Sequence, residues 1–170
     1  LMHLPKVIVI DAGVGNIGSV VSSFKKQECE VFRYSHPNEI ISLESYSHVV
    51  LPGVGTFFEG MFALKERGWD KWIKYEWRDT DRPLLGICLG MQLLANRGEE
   101  GVKEMSSIPG LSQIPGDVKL LESPLNCVLP HIGWSEVNWN SKENSLILKN
   151  IPNGGDFYFC LLYTSDAADE

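Results

Sequence analysis

PLLGICLGMQLL, Pro83 to Leu94, is the stretch on which the reading of the chain turns. Leu84 to Ile87 is an apolar run of strand character, Cys88 follows between Gly86 and Gly90, and Leu89, Met91, Leu93 and Leu94 begin a helical pattern at once. This spells a strand, a sharp turn and a helix, with a thiol at the turn. Such an elbow forces an awkward backbone angle on Cys88, and a side chain at 86 or 90 would collide with neighbouring backbone. The helix start behind the thiol supplies free amides and a positive dipole end, which favour thiolate over thiol. Cys88 is therefore expected to be an exposed nucleophile. The plainer alternative is an ordinary buried cysteine, since free cysteines are among the most buried residues.

Upstream, Val7 to Ile10 is a continuous apolar, β-branched strand of the kind buried on both faces of a parallel sheet. It leads into DAGVGNIGSV and a helix from Ile17 to Lys26. Gly13, Gly15 and Gly18 give G-x-G-x-x-G in the strand-to-helix position of a dinucleotide-binding turn. The second strand, Glu30 to Tyr34, carries no acid placed for a ribose, although Arg33 could suit a phosphorylated ribose. A tight glycine turn that lets a loop approach closely is the competing explanation. His48 to Leu51 is a third strand, running into LPGVGTFFEGMFAL, where residues 52–55 are not expected to continue a regular strand. Phe57, Met61 and Leu64 then share one helix face. In WDKWIKYEW the aromatics at 69, 72, 75 and 77 suggest a helix packed on the sheet.

Three strand-helix units ahead of the elbow strand define an α/β fold: a mostly parallel sheet with helices on both faces. Reactive groups of such sheets gather at the carboxyl ends of the strands. Asn16, Val54 and Cys88 each lie just past such an end, so they are expected to converge. From Asn96 onward the chain is turn-rich, and Asp117 to Leu121, Cys127 to Leu129 and Glu136 to Trp139 are expected as short antiparallel strands. Between them, LPHIGWSEV is expected to hold Trp134 beside Gly133 in an exposed turn.

The 170 residues suit one domain with a substantial core, and 44% hydrophobic and 22% charged residues are ordinary globular proportions. The net charge of −7 without a basic cluster argues against nucleic-acid or anionic-membrane partners. Leu1 to Pro5 has no signal-peptide character, Leu1 precedes Met2 and so need not be a natural start, and no apolar run approaches bilayer length. Four cysteines and four histidines are scattered, which indicates neither a disulfide framework nor a metal site; no cofactor is called for, and a cytoplasmic location is the default.

DAGVGNIGSV, LPGVGTFFEGM, PLLGICLGMQLL, GEEG, IPGDV, PHIGW and FYF occur in one order. Together they resemble the glutaminase-subunit family of imidazole glycerol phosphate synthase, within the flavodoxin-like class I (triad) glutamine amidotransferases. The resemblance covers about residues 6 to 159 and implies a glutaminase: the cysteine attacks the side-chain amide of glutamine, a glutamyl thioester forms, and ammonia passes to a partner cyclase subunit in histidine biosynthesis. It implies Cys88 as nucleophile, the Leu89 amide as one oxyanion donor, and Gly53, Val54 and Gly55 as the source of the second. Gln92 and Glu100 match positions lining the glutamine pocket, Asn16 resembles the residue that steadies the P-G-V-G strand, and Trp134 and His131 of PHIGW match the synthase interface. A paralogue feeding ammonia to a sugar amidation for surface polysaccharide fits the same motifs. The alternative from another class is a noncatalytic nucleotide-binding domain using the Gly13 to Gly18 turn.

The family also uses a His-Glu pair beyond the FYF strand, and none of the four histidines matches it. Here FYF is followed by CLLYTSDAADE, which resembles the translation of a transposase-type sequencing adapter. Residues 1–159 are therefore expected to be a truncated amidotransferase domain, with an incomplete antiparallel part, and 160–170 a non-native tail. The chain as it stands is expected to be inactive toward glutamine.

Overall fold

Residues 7–10 are apolar without a break because they lie in the middle of a sheet covered on both sides: β1 (Lys6–Ile10) has Val7 to Ile10 at 1% exposure or less. The computed structural model describes residues 4–102, 106–122, 128–139 and 146–165. The chain divides into two compact units, the first running to Lys119 and taken up again at Ser165, the second being Leu120–Thr164.

In the first unit, β1 is flanked by β2 (Glu30–Tyr34) and β3 (His48–Gly53), and β4 (Leu84–Cys88) closes the sheet in the order β2-β1-β3-β4, all parallel. Helix α1 (Ile17–Lys26) lays Ile17, Val20, Val21 and Phe24 on the face that carries Val7, Val9 and Val50. By the two-residue period of a strand, Ile8 and Ile10 point the other way, and both are fully buried. Both faces are thus covered, as expected. Helix α2 (Phe57–Arg67) buries Phe57, Met61 and Leu64 and ends at Gly68, whose φ of +80° suits a glycine cap.

Helix α3 (Trp69–Trp72) continues into a wide turn, Ile73–Trp77, of π geometry. The wide turn explains the aromatic spacing. An α-helix would bring residue 76, a glutamate, under Trp72, whereas the five-residue step brings Trp77 there, and the two rings stack at 5.6 Å. Trp69, Trp72 and Trp77 are core, but Tyr75, expected on the same packed face, is 71% exposed.

Two expectations about the strands need correction. β3 does not stop at Leu51: Pro52 pairs with Ile87 and Gly53 with Cys88. Pairing with β1 ends at Val9 and Val50, so the side on which Pro52 lacks an N–H has no ladder to break. Farther on, β5 (Arg97–Gly98) pairs antiparallel with β6 (Ile108–Pro109), but β7 (Asp117–Leu120) runs parallel to β5, not antiparallel. The turn-rich path between them is long enough to carry the chain back to the same end.

In the second unit, Val128 and Leu129 form no strand, and Cys127 lies outside the described residues. The strand expected at Glu136 to Trp139 is β8 (His131–Val137), antiparallel to β9 (Gly155–Leu161). His131 to Trp134 of PHIGW are therefore strand and not turn, with Pro130 just ahead of them. Residues 131–137 alternate well enough to pair along their whole length, and Gly133, at φ +152°, is absorbed within the ribbon. β9 runs two residues past Phe159, with Cys160 opposite Ile132 and Leu161 opposite His131.

Candidate active site

Cys88 ends β4 and starts α4 (Leu89–Gln92) with φ +54° and ψ −121°, and it is exposed. A non-glycine residue held there costs about 1–3 kcal/mol, and the surrounding packing shows what holds it. A Cβ on Gly86 would lie 2.4 Å from the Met91 Cα, and one on Gly90 would lie 1.8 Å from the Leu51 carbonyl oxygen. Both obstacles are backbone. The strand and the helix start are packed main chain to main chain, and the cysteine is the residue forced through the corner. The helix is shorter than expected: it ends at Gln92, and Leu93 and Leu94 turn away as buried core residues. One helical turn carries little macrodipole, so the near amides of the elbow matter more than a distant dipole.

The P-G-V-G loop meets this corner through the sheet register. Gly53 sits opposite Cys88, and a Cβ on it would be 2.9 Å from the Gly90 nitrogen and 3.1 Å from the Leu89 Cβ. Val54 is 53% exposed, and Gly55 has φ +105°, a conformation open to glycine. Directly behind the loop, the first turn of α2 satisfies each of its leading amides. Thr56 N–H donates to Glu59 Oε2 at 3.2 Å, and Glu59 N–H donates to Thr56 Oγ1 at 3.3 Å, a reciprocal capping box. Phe57 N–H donates to the Glu100 carboxylate, and Phe58 N–H donates to the Glu100 carbonyl at 3.1 Å. Burial pushes the Glu100 carboxyl above its ordinary range; the Phe57 N–H opposes the shift and the charge of Glu59 adds to it. Gly98 and Gly101 bring this segment onto α2, since a Cβ on either would strike Phe57 or Thr56. Contacts thus run in sequence from Glu100 and Glu59 through the 53–55 loop to Cys88. The capping box is legible in the sequence as T-F-F-E at 56–59.

Asn16 caps α1, its Oδ1 accepting from Ser19 N–H at 3.4 Å, while its neighbour Gly15 is the residue that comes against Gly53. The glycine turn at 13–18 is filled from within. Asp11, 7% exposed, accepts from Gly13 N–H at 3.0 Å and from Arg33 Nε at 2.8 Å, and the Arg67 guanidinium lies over Gly13. Burial acts to raise the Asp11 carboxyl, but the Arg33 and Gly13 hydrogen bonds and the charges of Arg33 and Arg67 outweigh it and hold it below the ordinary range. A carboxylate thus occupies an amide that a phosphate would need, and Arg33, considered above for a phosphorylated ribose, is engaged by Asp11. Sequence reasoning missed this pair because its members are 22 positions apart and meet only through the β1–β2 register.

Gln92 closes α4 and is half-buried. In the second unit, His131 Nε2 and Ser135 Oγ share a hydrogen bond at 3.2 Å, and the His131 ring lies 6.1 Å from the Phe159 ring. Trp134 is 72% exposed and meets Tyr158 edge-on at 5.7 Å. Among the described residues no cluster of His, Cys, Asp or Glu is arranged to hold a metal ion, and no helix is long and apolar enough to cross a membrane.

A parallel sheet in the order 2-1-3-4, a cysteine elbow after its fourth strand and a glycine loop in register beside it are the makings of a cysteine-dependent amidotransferase. The profile of the family described as glutamine amidotransferase class-I matches residues 8–121, and the chain belongs to that family. Within it, the chain is 46% identical over 164 residues to imidazole glycerol phosphate synthase subunit HisH 1 of Prochlorococcus marinus (strain MIT 9313), covering 96% of this chain and 74% of that protein. It is 36% identical over 164 residues to the subunit of the same name from Campylobacter jejuni subsp. jejuni serotype O:23/36 (strain 81-176), covering 96% and 77%. Among solved structures, a glutamine amidotransferase from Thermotoga maritima superposes with a TM-score of 0.61 at 21% identity, over 96% of this chain and 63% of that one, a likeness of fold.

Proposed function

We propose that this chain is the glutaminase part of an imidazole glycerol phosphate synthase, acting in histidine biosynthesis in the cytoplasm as one half of a heterodimer with a cyclase subunit. The observation that carries the reading is the Gly53 to Cys88 register, which sets the amide-rich loop beside an exposed thiol held at positive φ. The Cys88 sulfur attacks the side-chain carbonyl carbon of glutamine. The carbonyl electron pair moves onto oxygen, which the Leu89 N–H and an N–H from the 53–55 loop receive. The C–N bond then breaks as the nitrogen takes a proton and leaves as ammonia, and water cleaves the thioester to glutamate. Donors aimed at that oxygen stabilise the transition state more than the ground state, typically by a factor of about 10² or more for each donor. Gln92 and Glu100 would line the glutamine pocket, Asn16 would steady the loop through its turn, and Trp134 and His131 would face the cyclase.

The base that serves Cys88 is carried, in this proposal, by residues that should follow Phe159 in the gene, with 160–170 derived from adapter sequence. Genomic sequencing across this position tests that: codons for Cys160 to Glu170 followed by a natural stop would sink it. The glutaminase itself is tested by labelling with a glutamine-mimicking electrophile such as 6-diazo-5-oxonorleucine. Modification of the uninterrupted full-length protein should fall on Cys88 and disappear in its Cys88→Ala variant. Saturable binding of a nicotinamide nucleotide with no labelling of Cys88 would instead favour a nucleotide-binding domain. The relatives named above favour the histidine pathway over polysaccharide amidation, and complementation of a histidine auxotroph by the uninterrupted gene distinguishes the two.

A further inference from the structure

The 53–55 loop contains two glycines and an exposed valine, so its backbone has little intrinsic preference for any one orientation of its amides. Something must therefore hold its two ends. Upstream, the β3–β4 ladder does so, ending with Gly53 opposite Cys88 and pressed on Gly90. Downstream, the first peptide that is held is the one ending in Thr56 N–H. Glu59 holds it: Oε2 accepts from Thr56 N–H at 3.2 Å and from Thr56 Oγ1 at 3.0 Å. The same oxygen lies 3.2 Å from where a Cβ on Gly55 would be, so the carboxylate also lies against the loop itself. The two peptide planes that remain between these anchors carry the N–H groups of Val54 and Gly55. Glu100 binds Phe57 and Phe58, one step further into the helix, and does not touch the Thr56 amide.

Resting on the glutaminase reading, we propose that Glu59 is a positioning residue for glutamine hydrolysis, clamping the Gly55–Thr56 peptide so that the loop amides stay aimed at the carbonyl oxygen that Cys88 attacks. The carboxylate touches no reacting atom. Its loss lets the loop wander without deleting a donor, and the penalty should be smaller than the roughly 10²-fold cost of removing one: about tenfold in kcat, with KM little changed, because only transition-state interactions are weakened. The helix start should survive, since Glu100 still serves Phe57 and Phe58.

The test uses the uninterrupted full-length protein in complex with its cyclase partner, comparing Glu59→Ala, Glu59→Gln and Glu59→Asp, with amide exchange at Thr56 followed by NMR. Alanine should lower kcat about tenfold with KM within about twofold, and speed Thr56 exchange about tenfold. Glutamine, whose carbonyl oxygen can still accept in a capping box, should restore both to within about threefold. Aspartate keeps the charge at the helix start but shortens the reach, so it should behave like alanine; it also serves if the alanine variant does not fold. Unchanged kcat, a loss carried by KM, unchanged Thr56 exchange, or an aspartate variant as active as the original would each overturn the proposal. If the unsubstituted protein hydrolyses no glutamine and Cys88 resists labelling, the glutaminase reading has failed and this role goes with it. Active protein with unperturbed Thr56 exchange in the alanine variant means that only the clamp was wrong.

Discussion

Replacing Gly90 with alanine opposes two effects of known size. Gly90 lies inside α4, where alanine is normally better than glycine by about 0.5–1 kcal/mol because it loses less backbone entropy. The added methyl, however, would fall 1.8 Å from the Leu51 oxygen and 2.7 Å from the Leu51 carbonyl carbon. A relaxed C···O contact is about 3.3 Å or more, so β3 and α4 must separate by roughly 1.5 Å. The obstacle is main chain in a strand paired on the β4 side, and no side chain can swing away. A radial gap of even ~1 Å forfeits up to about half of each dispersion contact across it, and Leu51 and Leu89 on the two elements are both fully buried. Overpacking typically costs about 1–3 kcal/mol, and an obstruction by backbone belongs at the upper end. The net expectation for Gly90→Ala is destabilisation by about 2 kcal/mol or more, a large share of a stability that is commonly about 5–15 kcal/mol. Gly18→Ala is the control: it is also in a helix, but nothing lies within 4 Å of the new methyl, so it should be neutral or stabilising by up to about 1 kcal/mol. Urea unfolding of both variants, with m-values checked for equality, measures the difference. A Gly90→Ala protein within about 0.5 kcal/mol of the original, or a Gly18→Ala protein equally damaged, would refute the close-packed elbow.

Other expectations follow from single contacts. Asp11→Asn should destabilise by about 1–3 kcal/mol, since it leaves Arg33 without its charged acceptor. Because the folded Asp11 carboxyl lies below its ordinary value, its contribution is present above the ordinary carboxylate range and is lost as pH falls through the lower folded value; acid unfolding curves of the asparagine variant should be flatter there. Glu100 has the opposite sign: its folded value is raised, so its ionisation opposes folding as pH climbs from the ordinary carboxylate range through the raised value. Glu100→Gln should therefore be at least as stable near neutral pH, while glutamine binding by the full-length protein weakens; a clear loss of thermal stability would contradict this. Trp69→Phe should cost about 1 kcal/mol more than Trp77→Phe, because Trp69 Nε1 donates to the Ser35 carbonyl at 3.0 Å whereas Trp77 Nε1 is buried without a partner among the described residues. Trp134→Ala should leave thermal unfolding nearly unchanged and, on the proposed assignment, weaken association of the full-length protein with a cyclase subunit by about 2 kcal/mol or more, measurable by calorimetry.

Much of the first unit could be read from local pattern. The unbroken apolar run at 7–10, the apolar residues at 49–51 and the apolar stretch at 84–87 announce a sheet buried on both faces, because only such strands need no polar side. The elbow was legible for a steric reason: glycine at both 86 and 90 around a cysteine has few uses other than close passage of backbone. The misread parts share another cause. Pro52 looked like a strand end because a proline gives up an N–H, and whether that N–H is needed depends on which neighbour runs alongside. PHIGW looked like a turn because of its glycine and proline, and became strand β8 because β9 lies opposite it. The direction of β7 rests likewise on a partner, β5, that is only two residues long and has no periodicity to see.

By itself, the order of residues determined the strand-helix units, the thiol at the corner and the chemistry a thiol can do, since these depend on neighbours within a few positions. Only the tertiary structure decided which distant groups face one another: Gly53 beside Cys88, Asp11 beneath Arg33, and Glu100 over the start of α2. The division is physical. Side-chain period and backbone sterics are local, whereas register, burial and the partner of a buried charge are set by chain segments that approach only when the core closes.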